Sequence, residues 1–184
     1  MIAGGGRVLA VVWIGIGSNL DAPVRRCCQA VTTMARHPRI NLLDVSSFYR
    51  TQPVGLGRQP WFVNAVVRIA TPLPPLALLR VLQRLEFRSG RNRCRETKNG
   101  PRPLDLDLLL YEQRVLRHSL LHLPHPEIPH RRFVLEPLAE ISPRLPHPVL
   151  GKTIDLLLKE TDDTSRVEMI ASRLGWCVTG LPRR

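Results

Sequence analysis

Lysine is nearly missing from this chain: Lys98, Lys152 and Lys159 are the only ones among 27 Lys and Arg residues, set against 15 Asp and Glu. The net charge of +12 is therefore carried almost wholly by arginine. Arginine's planar fork grips phosphate oxygens two at a time, so a polyanionic ligand, nucleotide or nucleic acid, is consistent with the excess. A high-GC genome would produce the same excess without any functional reason, so charge alone does not choose. Aromatic residues make up only 5%, too few for the cluster of exposed rings that a basic RNA-binding sheet uses. Metal-type cysteine spacing is lacking too. Cys27, Cys28, Cys94 and Cys177 are scattered, and an adjacent Cys-Cys pair makes a poor disulfide framework, which favours a reducing compartment. Long apolar runs are missing as well. Residues 8–16, after Arg7, are too short to span a bilayer and lack a small-x-small cleavage site, so a cytoplasmic protein without a membrane partner is expected. No internal repeat is visible, and 184 residues with 43% apolar and 23% charged suit one globular domain with a proper core.

What is present follows a clear order. Residues 8–16 read as a buried strand ending in Gly17-Ser18-Asn19, with Asp21 or Ala22 in the cap region and Pro23 near the first position of a helix reaching residue 37. Gly17 serves either close approach of a ligand or the turn itself. Residues 41–51 read as a second strand, and 52–60 as a Pro/Gly loop of a binding or moving kind. A third strand is expected at 61–70, with Phe62 and Asn64 on one face, an aromatic beside an amide that suits a flat heteroaromatic ring. A helix over 76–88 has Leu78, Leu82 and Leu85 as its core stripe and Gln83 and Glu86 on another face. Residues 89–99 form a polar loop carrying Arg91, Arg93, Arg95 and Lys98, with little to bury.

The chemistry concentrates in Gly100-Pro-Arg-Pro-Leu-Asp-Leu-Asp107. Residues two apart in a strand share a face, about 6.6 Å apart, so Asp105 and Asp107 leave the sheet together, opposite Leu104, Leu106 and Leu108. Two neighbouring carboxylates repel unless a cation lies between them; a divalent metal for phosphoryl chemistry and a wet strand face paired with arginines are both compatible with the spacing. Short strands are expected at 115–116 and 120–123, a short helix through residue 138, and another around 153–159. His125 and His130 are poorly spaced for zinc; His125 and Arg131 are read as phosphate or nucleotide contacts and Phe133 as a second stacking ring. The pattern strand–helix–strand–strand–helix–strand predicts a ferredoxin-like α+β fold: a four-stranded antiparallel sheet with helices on one face, the other free for ligand. Residues 1–160 would be a single domain and 161–184 a C-terminal tail or appendage without evident chemistry.

These blocks recur in one family in the same order. Ile16-Gly-Ser-Asn-Leu20, Ser47-Phe-Tyr-Arg-Thr51, Gln59-Pro60 with Phe62-Val-Asn-Ala65, Glu86 with Gly90-Arg91, the Asp105/Asp107 block, and Pro124-His-Pro126 with Arg131 and Phe133 span residues 8–150. The chain closely resembles the 6-hydroxymethyl-7,8-dihydropterin pyrophosphokinases of folate biosynthesis. The resemblance implies transfer of pyrophosphate from ATP to the pterin alcohol, with two Mg²⁺ ions on Asp105 and Asp107. It implies a monomer with ATP and the pterin as partners and no nucleic acid. The pterin would lie between Phe62 and Phe133, read by Asn64 and by backbone from Thr51, Gln52 and Val54. ATP contacts would come from Gln83, Glu86, Arg91, Arg102, His125 and Arg131, with main chain at Leu108, Leu121 and His122 near the adenine. Arg91, Arg102, Asp105 and Asp107 would form the catalytic set. Asn99 stands where the family has a tryptophan, Pro103 where it has a threonine, Gln52 where it has a proline, and the basic loop is one residue longer. A basic RNA-binding module lacks the aromatic cluster it needs, and a metal-dependent phosphodiesterase lacks further His or acid ligands.

Overall fold

Strand β1, Ala10–Ser18, is an inner strand of the sheet, pairing antiparallel with β4 (Phe62–Thr71) on one side and β5 (Asp105–Tyr111) on the other. The computed structural model describes residues 8–53, 59–92 and 100–171. Val54, Arg93, Cys94, Arg95, Lys98, Asn99 and Cys177 lie outside the described residues.

Period-two alternation sorts β1 cleanly. Val12, Ile14 and Ile16 face one layer, where they pack with Cys27, Val31 and Met34 of α1 (Pro23–Ala35) and Leu78 and Leu82 of α2 (Pro75–Arg88). Full burial of side chains like these stabilises by about 1.5–3 kcal/mol each, which makes this layer the main anchor of the fold. The opposite face carries Trp13, and it is not free, as the four-strand pattern predicts. It is covered in part by α3 (Arg132–Ile141), which follows a 3-10 turn at Ile128–His130, and by α4 (Ile154–Glu160). Trp13, Val66, Leu109, Leu135, Leu138 and Leu157 form a second apolar cluster there. The Trp13 indole donates to Ser142 Oγ at 2.9 Å, tying the end of α3 to the sheet.

Two further expectations are corrected. The single strand expected over 41–51 is broken into β2 (Asn41–Val45) and β3 (Phe48–Thr51), which pair successively with β4. The break has a cause in α3: Glu140 accepts from the Ser47 N–H at 2.7 Å, the Ser47 hydroxyl at 2.8 Å and the Tyr49 hydroxyl at 3.0 Å. An amide held by a carboxylate cannot also serve the strand ladder. The second correction concerns the C-terminal appendage. Residues Val167–Ala171 form a strand, β8, antiparallel to β3, so the sheet runs β5-β1-β4-β3-β8 with β2 also on β4, and four strands are too few. The fold is α+β on an antiparallel sheet. A small ribbon of β6 (Leu116–His118) and β7 (Leu121–Leu123) stands apart from it.

Candidate active site

Above the α3 side of the sheet lies a cavity of about 650 Å³. Its floor is set by strand register. Gly15 and Gly17 of β1 lie opposite Asp107 and Asp105 of β5 on one side and Val66 and Asn64 of β4 on the other. Two missing side chains in the central strand leave a trough between an acidic bank and an amide bank. Gly17 is required by close approach, not by a turn: a Cβ there would come within 2.8 Å of Asn64 Oδ1. Asn64 cannot easily yield, because its Nδ2 donates to Thr51 Oγ1 at 2.6 Å. In β5 a bulge leaves Leu109 unpaired between the Trp13–Leu110 and Ile14–Leu108 pairs. The extra residue puts Leu109 and Leu110 on the same side. The Leu109 carbonyl freed by the bulge accepts the His125 N–H at 2.8 Å.

Asp105 and Asp107 share the cavity face but not their environment. Asp105 is held by Arg91, and by Arg102 at 2.6 Å. Burial pushes its carboxyl up, yet the two guanidiniums outweigh burial and keep it below the usual carboxylate range. Asp107 has no such grip. Burial, then the charges of Asp105 and Glu86, raise it to about 7, with Arg131 and Arg91 opposing only in part. Arg91 is itself nearly buried, and its Nη1 donates to Glu86 Oε1 at 2.5 Å and to the Leu104 carbonyl at 3.3 Å. Glu86 Oε1 also accepts the Leu106 N–H at 2.9 Å, so one buried acid fixes both Arg91 and the strand between the two aspartates.

Arg102 is placed by the Gly-Ser-Asn end of β1. Asn19 Oδ1 accepts the Arg102 N–H at 2.8 Å, the Asn19 N–H donates to the Arg102 carbonyl at 3.2 Å, and Nδ2 donates to the Pro60 carbonyl at 3.1 Å. Ser18 Oγ donates to the Pro103 carbonyl at 2.7 Å. That short motif therefore staples two loops to the sheet. Opposite the floor, Phe133, Val134 and Arg131 reach the cavity from the start of α3, and His130 from the turn before it. The Arg131 guanidinium lies 5.6 Å from the Phe133 ring centre and pairs with Glu127 at 3.3 Å.

Of the residues singled out from sequence, Thr51, Gln52, Phe62, Asn64, Arg91, Arg102, Asp105, Asp107, Arg131 and Phe133 all line this one cavity. Glu86 stands behind it, supporting Arg91. Among the described residues, the cavity does not reach Gln83, Leu108, Leu121, His122 or His125. Gln83 is exposed on α2, Leu108 and Leu121 belong to the core beneath the sheet, and His122 is exposed on β7. His125 is kept neutral by burial and then by the Arg131 charge, and its Nδ1 accepts the Glu127 N–H at 3.3 Å. Sequence reasoning passed over Gly15, Val66, Leu109 and Thr161, Asp162 and Asp163, which also line the cavity. Gly15 could have been found from its period-two spacing to Gly17; nothing local marks the last three.

Asp105 and Asp107 present hard carboxylate oxygens to the same space, and no third His, Cys or acid joins them in a metal-sized cluster among the described residues. One or two carboxylates with substrate phosphates and water are what Mg²⁺ takes, so this donor set fits that ion. An acid whose pKa is pushed up by burial and by neighbouring carboxylates gains from a cation beside it, and Asp107 is in that position.

A family model described as 7,8-dihydro-6-hydroxymethylpterin-pyrophosphokinase matches residues 13–143. The chain is 38% identical over 161 residues to a 2-amino-4-hydroxy-6-hydroxymethyldihydropteridine pyrophosphokinase of Haemophilus influenzae, covering 88% of this chain and 99% of the relative. It is 40% identical over 158 residues to the protein of the same name from Methylorubrum extorquens, covering 85% and 98%. Among solved structures, a Plasmodium falciparum HPPK-DHPS triple mutant superposes with a TM-score of 0.67 at 14% identity, over 85% of this chain and 44% of that one, a likeness of fold. With that match spanning most of β1, all of β2 to β5, and α1, α2 and α3, the chain belongs to the 7,8-dihydro-6-hydroxymethylpterin-pyrophosphokinase family.

Proposed function

We propose that this chain transfers the pyrophosphoryl group of ATP to the hydroxymethyl oxygen of 6-hydroxymethyl-7,8-dihydropterin, releasing AMP, as a step of folate biosynthesis. The observation that carries this reading is a single cavity that brings together the carboxylates of Asp105 and Asp107, the guanidiniums of Arg91, Arg102 and Arg131, and the Phe62 and Phe133 rings with the Asn64 amide. Phe62 and Phe133 offer faces for the flat pterin, and Asn64, held by Thr51, offers a fixed amide to its polar edge. The hydroxymethyl oxygen attacks the β-phosphorus in line, its proton is lost, and AMP departs. Such transfer depends on alignment and charge compensation more than on covalent help.

Arg91, Arg102 and Arg131 supply fixed positive charge on the phosphate side. In the free protein Arg91 and Arg102 are turned onto Asp105, so this cluster balances its own charge before nucleotide arrives. Asp105 and Asp107 would hold the Mg²⁺, which when bound neutralises phosphate charge and polarises the transferred group. We further propose a cytoplasmic monomer that acts without nucleic acid or membrane.

The reading is tested by following ATP with and without the pterin: AMP and pterin diphosphate should form together, in equal amounts, only when both substrates and Mg²⁺ are present. Release of ADP, or AMP formed without pterin, would contradict it. A finer check comes from Gly17→Ala, whose Cβ must displace the Asn64 amide. The KM for pterin should rise about tenfold, with kcat changing less, since a small misplacement at a binding edge costs on that order. An unchanged KM would remove Asn64 from pterin recognition.

A further inference from the structure

Residues 161–171 lie past the end of the family match at residue 143, yet the first three of them line the cavity. Thr161, Asp162 and Asp163 line it beside Gln52 and Phe133. The segment is fastened at both ends. At its far end β8 pairs with β3 so that Val167 faces Thr51, and the Arg166 carbonyl accepts the Gln52 N–H at 3.1 Å. Trp61 stacks there with the Arg50 guanidinium at 4.7 Å and that of Arg166 at 5.9 Å. At its near end Asp163 Oδ2 accepts the Arg132 N–H at 2.7 Å, while Oδ1 accepts the Ser165 N–H at 2.9 Å.

Arg132 is the first residue of α3, whose N-cap, Arg131, makes no side-chain capping bond and whose first turn contains no acid. An uncapped first turn leaves donors without acceptors and favours a negative charge, and Asp163 supplies both from 31 residues away. Burial pushes the Asp163 carboxyl up, but its bonds to Ser165 and Arg132 outweigh that and hold it low, in the charged form. The residues flanking Arg132 are Arg131 and Phe133, both of which line the cavity.

We propose that Asp163 is a positioning residue for the reaction: it fixes the first turn of α3, and through it the Phe133 ring and the Arg131 guanidinium against the substrates. This rests on the pyrophosphokinase reading of the cavity. It assigns residues 161–171 a part in substrate binding, where the sequence suggests only a tail.

The test compares Asp163→Ala, Asp163→Asn and Asp155→Ala in the full chain, by steady-state kinetics and by hydrogen exchange of residues 132–135. Asp163→Ala should raise the pterin KM about fivefold, the equivalent of one lost cap, with kcat within about twofold. Asp163→Asn, which keeps one acceptor for two donors, should fall between that variant and wild type. Asp155→Ala, a partly exposed acid of α4 paired with Lys159 and outside the cavity lining, should stay at the wild-type value. Exchange at residue 132 should quicken in the same order. Wild-type KM in both Asp163 variants, with only the melting temperature lowered, would overturn the proposal and leave Asp163 a stability cap. If Asp163→Ala does not fold, Asp163→Asn decides: its KM must rise at least about twofold. If the wild-type chain makes no AMP, the reading of the cavity fails, and unchanged exchange at residue 132 would separately sink the positioning claim.

Discussion

Asp107→Asn will lower turnover by on the order of a thousandfold and at the same time make the metal-free protein more stable at pH 8. The two effects share a cause. Burial and the charges of Asp105 and Glu86 raise the Asp107 carboxyl from 3.8 to about 7 in the folded chain. An acid whose folded pKa lies above its unfolded value loses stability as pH climbs from the lower value to the higher, and the loss is complete above the higher. Asparagine carries no charge to bury, so the variant escapes that loss. At about 1.4 kcal/mol per pKa unit, and with Asp105 sharing the interaction, the gain should be on the order of 2 kcal/mol at pH 8 and absent near pH 4. Urea melts in EDTA at the two pH values measure it. Added Mg²⁺ should restore stability to wild type more than to the variant. A variant no more stable than wild type at pH 8 would mean that Asp107 is not held against its own charge. Asp105 works in the opposite sense: its carboxyl is held low by Arg91 and Arg102, so its contribution is present at neutral pH and is lost as pH falls through the acid range.

Glu86→Ala will destabilise the fold by roughly 3 kcal/mol, a large effect for a change outside the cavity lining. The substitution breaks the 2.5 Å pair with Arg91 and leaves the Leu106 N–H without its side-chain acceptor in the buried strand. Arg91 keeps Asp105 as a partner, which holds the cost at the lower end for a broken buried pair. Glu86→Gln, which retains an acceptor for Leu106, should cost about half as much. Urea midpoints at constant m-value separate the two variants. Activity should fall in both, because Arg91 would lose the buried charge of Glu86 that helps fix it. A Glu86→Ala midpoint equal to wild type would show that this acid supports neither the strand nor the arginine.

The legible parts of the molecule were those governed by short periods. Asp105-Leu106-Asp107 alternates with period two, and the strand does send both acids to one face and the leucines to the other. Leu78 and Leu82, four apart, lie on the buried face of α2. Pro23 opens α1 with Ala22 as its N-cap. Glu86 on the same α2 pattern read as a surface contact, yet it is 1% exposed, because its partners are Arg91 and the Leu106 amide, which no helical spacing reveals.

The sequence by itself determined which residue types meet: alternation and helical spacing act between neighbours, so the acidic pair, the Phe62/Asn64 face and the apolar stripes are written locally. Only the tertiary structure decided how they are held. Asn19 reaches Arg102 across 83 residues, Glu140 bends the edge strand at Ser47 across 93, and Asp163 caps α3 across 31. A hydrogen bond between distant segments depends on where the packed layers place their ends, and that placement is a property of the whole core. The two acids of β5 illustrate the division. Their shared face follows from a strand's pleat, whereas the low pKa of one and the high pKa of the other follow from which arginines the fold brings to each.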